Sequence, residues 1–143
     1  MFAMRMLVAI FIVAILLNSL WELAQAPLYV GLDRYNAAVL WHCFVAGLGD
    51  GIMVLTITAV GRVTLHRWDW FKRPRLSEYL VMLTAGFILA VLVEAVAVHL
   101  LGRWEYSVRM PTVLGIGVVP IAQMILLPPM VFRTVALLGS RKM

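Results

Sequence analysis

The sequence predicts an all-α fold: an integral membrane four-helix bundle with both termini on the cytoplasmic side. Three observations predict it. Hydrophobic residues make up 64% of the 143 and charged residues only 13%, about half the charged share typical of soluble domains. The apolar residues gather into four runs long enough to cross a bilayer. The twelve Lys and Arg residues avoid those runs and sit in the links and at the ends.

The runs cover about residues 6–30, 37–60, 76–101 and 113–132, and together make one transmembrane domain spanning residues 1–143. Each is near or above the ~20 residues that cross ~30 Å of hydrocarbon at 1.5 Å per residue. Lipid offers the backbone no hydrogen-bond partner, so each run must be helical, and the short alternating segments of a membrane β-barrel are absent from the sequence. Between the first two runs, Gly31 and Asn36 favour a tight reversal. At the N-terminus, Arg5, the apolar residues 7–17 and Ala24-Gln25-Ala26 imitate a secretory signal with its cleavage site. Trp21 and Glu22 before that site and Pro27 directly after it argue against cleavage, so the run is read as a retained span.

Orientation follows from the basic residues. Arg5, Arg62, Arg67, Lys72, Arg73, Arg75, Arg133, Arg141 and Lys142 lie on one side, and only Arg34, Arg103 and Arg109 on the other, a split of nine to three. The positive-inside rule therefore places both termini and the link around Trp68–Arg75 in the cytoplasm. The net charge of +5 reads as a membrane address and does not imply a nucleic-acid partner. The link's mixture of Trp68, Trp70 and Phe71 with Lys72, Arg73 and Arg75 reads first as an interfacial belt. Contact with anionic lipid headgroups or a partner is the more specific alternative. A single cysteine, Cys43, excludes an intrachain disulfide and any paired-cysteine zinc or redox motif.

Function is sought among the polar residues inside the spans, because ionisable groups in hydrocarbon cost several kcal/mol unless paired, neutralised or hydrated. These are Asn18, Glu22 and Gln25 in the first span, His42 and Asp50 in the second, Glu94 and His99 in the third, and Gln123 in the fourth. Asn18, Asp50 and Gln123 fall near mid-span, and Glu22, His42, Glu94 and His99 toward the outer surface. The pattern predicts a polar pocket in the outer, periplasmic half. Asn18, Glu22 and Gln25 are spaced i, i+4, i+7 on one helix face. Gly47, Gly49 and Gly51 around Asp50 allow close approach, and Gly86, Ala90, Glu94 and Ala97 form a small-residue stripe facing other helices. His99 lies about 140° around its helix from Glu94 and is not required to join the cluster. Pro120 is expected to kink the fourth span just before Gln123 and free carbonyls there. Pro128-Pro129 is expected to disturb the cytoplasmic end of that span.

Three acids close together in low dielectric cannot all be ionised cheaply. A protonated acid beside an ionised one, with His42 as a relay to water, is an acid/base arrangement. Glu22, Asp50, Glu94 and His42 are the catalytic candidates. Asn18, Gln25, Trp104, Tyr106 and Gln123 are the substrate-binding ones. The competing reading is that these groups only join helices, through bonds worth roughly 0.6 to 2 kcal/mol each. Trp104 and Tyr106 also suit an interfacial anchor, and Arg103 or Arg109 could fold over the pocket and neutralise an acid. No zinc or iron spacing occurs, no metal site is assigned, and no motif names a cofactor.

Trp21-Glu22 with Pro27-Leu28-Tyr29, Trp41-His42-Cys43 with Gly49-Asp50, Glu94, Gly102-Arg103-Trp104-Glu105-Tyr106 with Met110-Pro111, and Pro120 with Gln123 together resemble a family of small bacterial four-span inner-membrane proteins. The resemblance runs from Trp21 to about Pro128. It implies a bacterial inner-membrane location and carries no activity with it. Three functional readings stay open at this point: an acid/base enzyme acting on a lipidic or isoprenoid-like substrate, a small proton, ion or solute transporter, and an accessory subunit of a larger membrane complex. Membrane lipid is the partner common to all three, and the transporter reading also allows a homo-oligomer.

Overall fold

The computed structural model describes residues 2–140. Four helices, α1 (Phe2–Gln25), α2 (Ala37–Leu65), α3 (Leu76–Glu94) and α4 (Val118–Ser140), form an all-α bundle. A 3-10 turn (Ala26–Leu28) extends α1 and a π-helical turn (Ala95–Leu100) extends α3. All four are long and apolar enough to span a membrane, which makes the chain a multi-pass membrane protein. Arg141 and Lys142, which enter the charge count, lie outside the described residues.

The helix ends follow local chemistry. Asn36 caps α2, its Oδ1 accepting from Val39 N at 3.0 Å. α2 ends at His66, whose left-handed φ of 57° satisfies a helix C-terminus as glycine usually does. At the start of α3, Arg75 N donates to Glu78 Oε2 at 2.9 Å, and Glu78 also receives Arg67 Nη2 at 2.7 Å. With 29 residues, α2 is about 44 Å long at 1.5 Å per residue, five residues beyond the expected run. Its last turns support the following link through Thr58 and Gly61, against which Trp70 packs.

The fourth span differs most from expectation. Thr112–Val113 (β1) and Ile116–Gly117 (β2) form a hairpin, so the helix begins at Val118 and not near Val113. Leu114 and Gly115, both with positive φ, make the two-residue turn. Pro120 consequently sits in the first turn of α4, where its missing N–H has no helical partner to lose, and the expected kink has no cause. Pro128 and Pro129 lie inside α4 instead, and the helix continues past them to Ser140. Pro128 leaves the Met124 carbonyl without its i+4 donor. Gly86 of α3 packs directly on that carbonyl, and a Cβ at Gly86 would collide with it. The close approach puts a Cα–H against the freed oxygen, a weak substitute bond.

The half of the bundle near the Trp68–Arg75 link is sealed. Met6, Ile10, Ala14, Val54, Ile57, Met82, Val131 and Phe132 pack there around Trp70 and Phe71, which are 0% and 2% exposed. Phe71 stacks on Phe132 with centroids 5.0 Å apart, and Trp70 meets Phe132 edge-on at 5.2 Å. Trp70 Nε1 donates to the Thr58 carbonyl at 3.3 Å, and its ring occupies the space that a side chain at Gly61 would need. These two aromatics therefore form a plug and not the interfacial belt expected of them. Trp68 alone keeps an interfacial character, 41% exposed with Arg62 over its ring.

Candidate functional site

At the opposite end, the C-terminal turns of α1, the first half of α2, the last turns of α3 and the first turns of α4 surround a cavity of about 630 Å³. Glu22, Asp50 and Glu94 all line it, together with His42, Gln25 and Gln123. The three acids therefore do meet on one chamber, as the span pattern predicts.

The helices bring them together through close packing. Gly47 seats against Ser19 of α1 and Gly51 against Phe11 and Ile15, so α2 lies tightly on α1 and Asp50 is aimed at the Asn18–Glu22 face. Gly49 meets nothing within 4 Å and forms open wall. On α3, Met82, Gly86, Ala90, Glu94 and Ala97 are the buried stripe, and Glu94 is 5% exposed. The π-helical turn starts directly after Glu94, with Leu101 N bonding to Val96 O. A widened turn of this kind displaces the ladder by one residue and re-aims what precedes the link.

Gln123 is the hub. Its Nε2 lies 2.8 Å from Asp50 Oδ2, 2.9 Å from Asn18 Oδ1 and 3.1 Å from Glu22 Oε1. Its Oε1 accepts from Gln25 Nε2 at 3.1 Å, and the same Nε2 donates to Glu22 Oε1 at 2.7 Å. Gln25 Oε1 in turn accepts from Trp21 Nε1 at 3.1 Å. An amide has two N–H groups, so Gln123 cannot serve three acceptors fully at once. Glu22 is served a second time, by Gln25 Nε2, which leaves the two Gln123 N–H groups for Asp50 and Asn18. Glu22 and Asp50 thus meet as a dyad held by amides, and among the described residues neither forms an ion pair with a basic side chain.

Glu94 has a separate set of donors. Tyr106 OH donates to its Oε2 at 2.5 Å and Trp104 Nε1 at 3.4 Å. Both come from the third link, so these half-buried aromatics reach Glu94 from outside the helices. Burial and the neighbouring Glu94 carboxylate hold the Tyr106 phenol above its ordinary range, so it remains a neutral donor. The link is fixed by a β-bridge between Tyr29 and Tyr106, with Val30 N to Glu105 O at 2.9 Å and Ser107 N to Leu28 O at 2.8 Å. Tyr29 is pushed up likewise, by burial first and by the surrounding acids second.

Not every candidate reaches the wall. Asn18, 0% exposed, lies behind Gln123, accepting from it and donating to Ala14 O at 2.8 Å. Tyr106 is likewise behind Glu94 and does not line the cavity. His99 belongs elsewhere: its Nε2 meets Gly115 O of the hairpin at 3.0 Å. Gln123 lies in the second turn of α4, nearer the link end than mid-span, because the hairpin takes the residues expected to begin the helix. Arg103 lines the cavity, but neither it nor Arg109 neutralises an acid. Among the described residues the one ion pair is Arg67–Glu78.

Two features of the wall escaped sequence reasoning. Tyr29 continues the Asn18, Glu22, Gln25 face at the next helical step, a signal visible in the spacing. The second is a seam. Val45, Ala46, Gly49 and Met53 of α2 and Ala90 and Val93 of α3 line the cavity, and Val45 and Val93 are also 46% and 39% exposed. The chamber thus reaches the bundle surface between α2 and α3.

Among the described residues, no group of three or more His, Cys, Asp and Glu side chains is placed to hold a metal ion. Cys43 is buried against Ala26 and Val39, with one edge on the cavity. No family model, curated protein or solved structure matches this chain.

Proposed function

We propose that the chain is a membrane-embedded acid/base enzyme of the bacterial inner membrane, acting on a lipidic or isoprenoid-like substrate that enters between α2 and α3. The observation that carries this reading is the meeting of Glu22 and Asp50 at Gln123 on the wall of a chamber that also holds Glu94 and opens between α2 and α3. Two neighbouring acids, one acting as the acid and the other as the base, supply both partners of a proton transfer from the chain's own side chains. In an allylic isomerisation, the protonated member adds its proton to a double bond and a carboxylate removes one from the adjacent carbon. Cyclisation and hydration use the same first step, whereas in hydrolysis the acid gives its proton to the leaving oxygen and a carboxylate takes one from the attacking water. Gln123 and Gln25 orient the dyad, Trp104 and Tyr106 orient Glu94, and His42 connects the chamber's rim to water.

The transporter reading loses support from the sealed half, where Trp70, Phe71 and Phe132 leave no polar path. Simple helix joining also accounts poorly for the site, since joining needs no chamber of about 630 Å³ in front of the acids. The charge asymmetry supports an orientation with both termini cytoplasmic and the chamber toward the periplasm. Reporter fusions at each terminus test that placement, and a periplasmic signal from either end would reverse it.

The activity test works whichever lipid is the substrate. Purified protein is incubated in deuterated water with vesicles of bacterial membrane lipid, and the lipids are profiled by mass spectrometry. Wild type is expected to introduce deuterium into, or change the mass of, one lipid class. Glu22→Gln, Asp50→Asn and Glu94→Gln are expected not to. An identical lipid profile from wild type and all three variants removes the proposal.

A further inference from the structure

A second cavity, of about 560 Å³, lies at the sealed end between α3, α4 and the preceding link. Its rim carries Lys72, Arg73 and Arg133, and among the described residues no Asp or Glu lines it. The nearest acid on α3, Glu78, is 5% exposed and already taken by Arg67 Nη2, Arg75 N and Ser77 Oγ. That carboxylate also satisfies the α3 N-terminus, so the positive character of the cavity comes from side chains and not from the helix end. The floor is apolar, made by Phe71, Met82 and Phe132 of the plug. The outer wall, Met130 and Leu137 of α4, is 52% and 54% exposed and continues onto the membrane-facing surface. Tyr79 and Ser140 add hydroxyls beside the basic rim.

From this arrangement we infer that the groove between α3 and α4 binds an acidic phospholipid, its phosphodiester held by Arg73 and Arg133 and an acyl chain laid along Met130 toward the bilayer. Two guanidiniums match phosphate oxygens in geometry as well as charge. A soluble phosphate has no use for the aliphatic wall, which decides for the lipid over a free anion. The groove shares no residue with the acid-bearing chamber, so this site stands or falls apart from the proposed chemistry. A phospholipid seated there would brace α3 against α4 beside Pro128 and Pro129, where the α4 ladder is interrupted.

The test uses the full chain in a neutral detergent, with native mass spectrometry to count retained lipids. Phosphatidylglycerol is compared with phosphatidylcholine, and inorganic phosphate is run as a separate arm. Wild type is expected to retain one phosphatidylglycerol in preference to phosphatidylcholine. The preference should fall about 30-fold in Arg73→Gln/Arg133→Gln, given the attraction per basic residue near anionic lipid. Arg34→Gln/Arg109→Gln, at the other end, should leave it unchanged. Arg73→Lys/Arg133→Lys should keep most of the preference and so separates charge from folding. Raising the salt concentration should weaken the wild-type preference, a readout independent of any variant. The inference is overturned by an undiminished preference in the double Gln variant, by equal loss in the Arg34/Arg109 control, by indifference to salt, or by phosphate competing as well as the lipid.

Discussion

The two ends of this bundle are built from the same four helices and yet behave as opposites. Toward the Trp68–Arg75 link, large side chains converge: Trp70, Phe71 and Phe132 are each at most 2% exposed and pack against one another at the bundle centre. Toward the other two links, Ala26, Ala46, Gly49 and Ala90 stand at the corresponding inward positions, and a chamber remains. Small residues serve two ends here. Gly47, Gly51 and Gly86 draw backbones together, whereas Gly49 and Ala90 leave space that no neighbour fills. What separates packing from pocket is whether something large lies opposite.

The comparison can be broken most forcefully at the acids. Asp50→Asn, Glu22→Gln or Glu94→Gln should each lower turnover by about 10²- to 10⁴-fold, the usual contribution of a positioned acid or base. Their melting temperatures in detergent should change far less than that of a plug variant. Turnover within a few-fold of wild type would leave the polar end a structural feature only.

Next in size is the plug. Trp70→Ala removes a fully buried indole and should destabilise the fold by on the order of 3–5 kcal/mol, read from thermal or denaturant unfolding. If the sealed end is sealed by this residue, a water-soluble cysteine reagent should also reach a cysteine placed at Val54 in the variant and not in the parent. Equal labelling in both would mean that the seal lies elsewhere.

Two single changes of intermediate size test the joints. Gln123→Leu strips the dyad and Asn18 of their common donor and should cost about 1–3 kcal/mol, along with most of the activity. Gly86→Ala drives a methyl into the Met124 carbonyl and should cost about 1–3 kcal/mol without touching the acids. Activity per folded molecule should survive in the second and fall in the first. The reverse pattern would contradict the roles assigned to them.

The smallest effect concerns pH. Tyr29 and Tyr106 are both held above the ordinary phenol range of about 10 when folded. The folded state thus favours their neutral form. Their contribution is fully present below pH ~10 and declines above it, as the unfolded chain ionises and the folded one does not. Tyr29→Phe/Tyr106→Phe should flatten the alkaline limb of a stability–pH curve. An unchanged limb would place its origin in other groups.

Much of this is legible in the chain for a simple reason. A span announces itself by length and hydrophobicity, and a polar residue inside one is conspicuous against that background. Glu22, Asp50 and Glu94 are found this way, as is the small-residue stripe that carries Glu94 inward. The roles of Trp104, Tyr106, Trp70 and Phe71 are not legible, because an aromatic at a membrane boundary reads equally as belt, plug or ligand donor. Only its neighbour decides, and that neighbour lies on another helix. The fourth helix shows the same limit: hydropathy cannot tell Val113 in a hairpin strand from Val118 in a helix.

Sequence alone therefore determined four apolar helices in a membrane and the set of polar residues they carry inward, because lipid enforces helical backbone and penalises each such residue individually. Tertiary structure decided that Glu22 and Asp50 meet at Gln123, that Glu94 takes its donors from a distant link, and that one end is open while the other is closed. Those are relations between residues up to 105 positions apart. Such relations depend on which helix faces follow one another around the bundle, and no local pattern in the chain encodes that order.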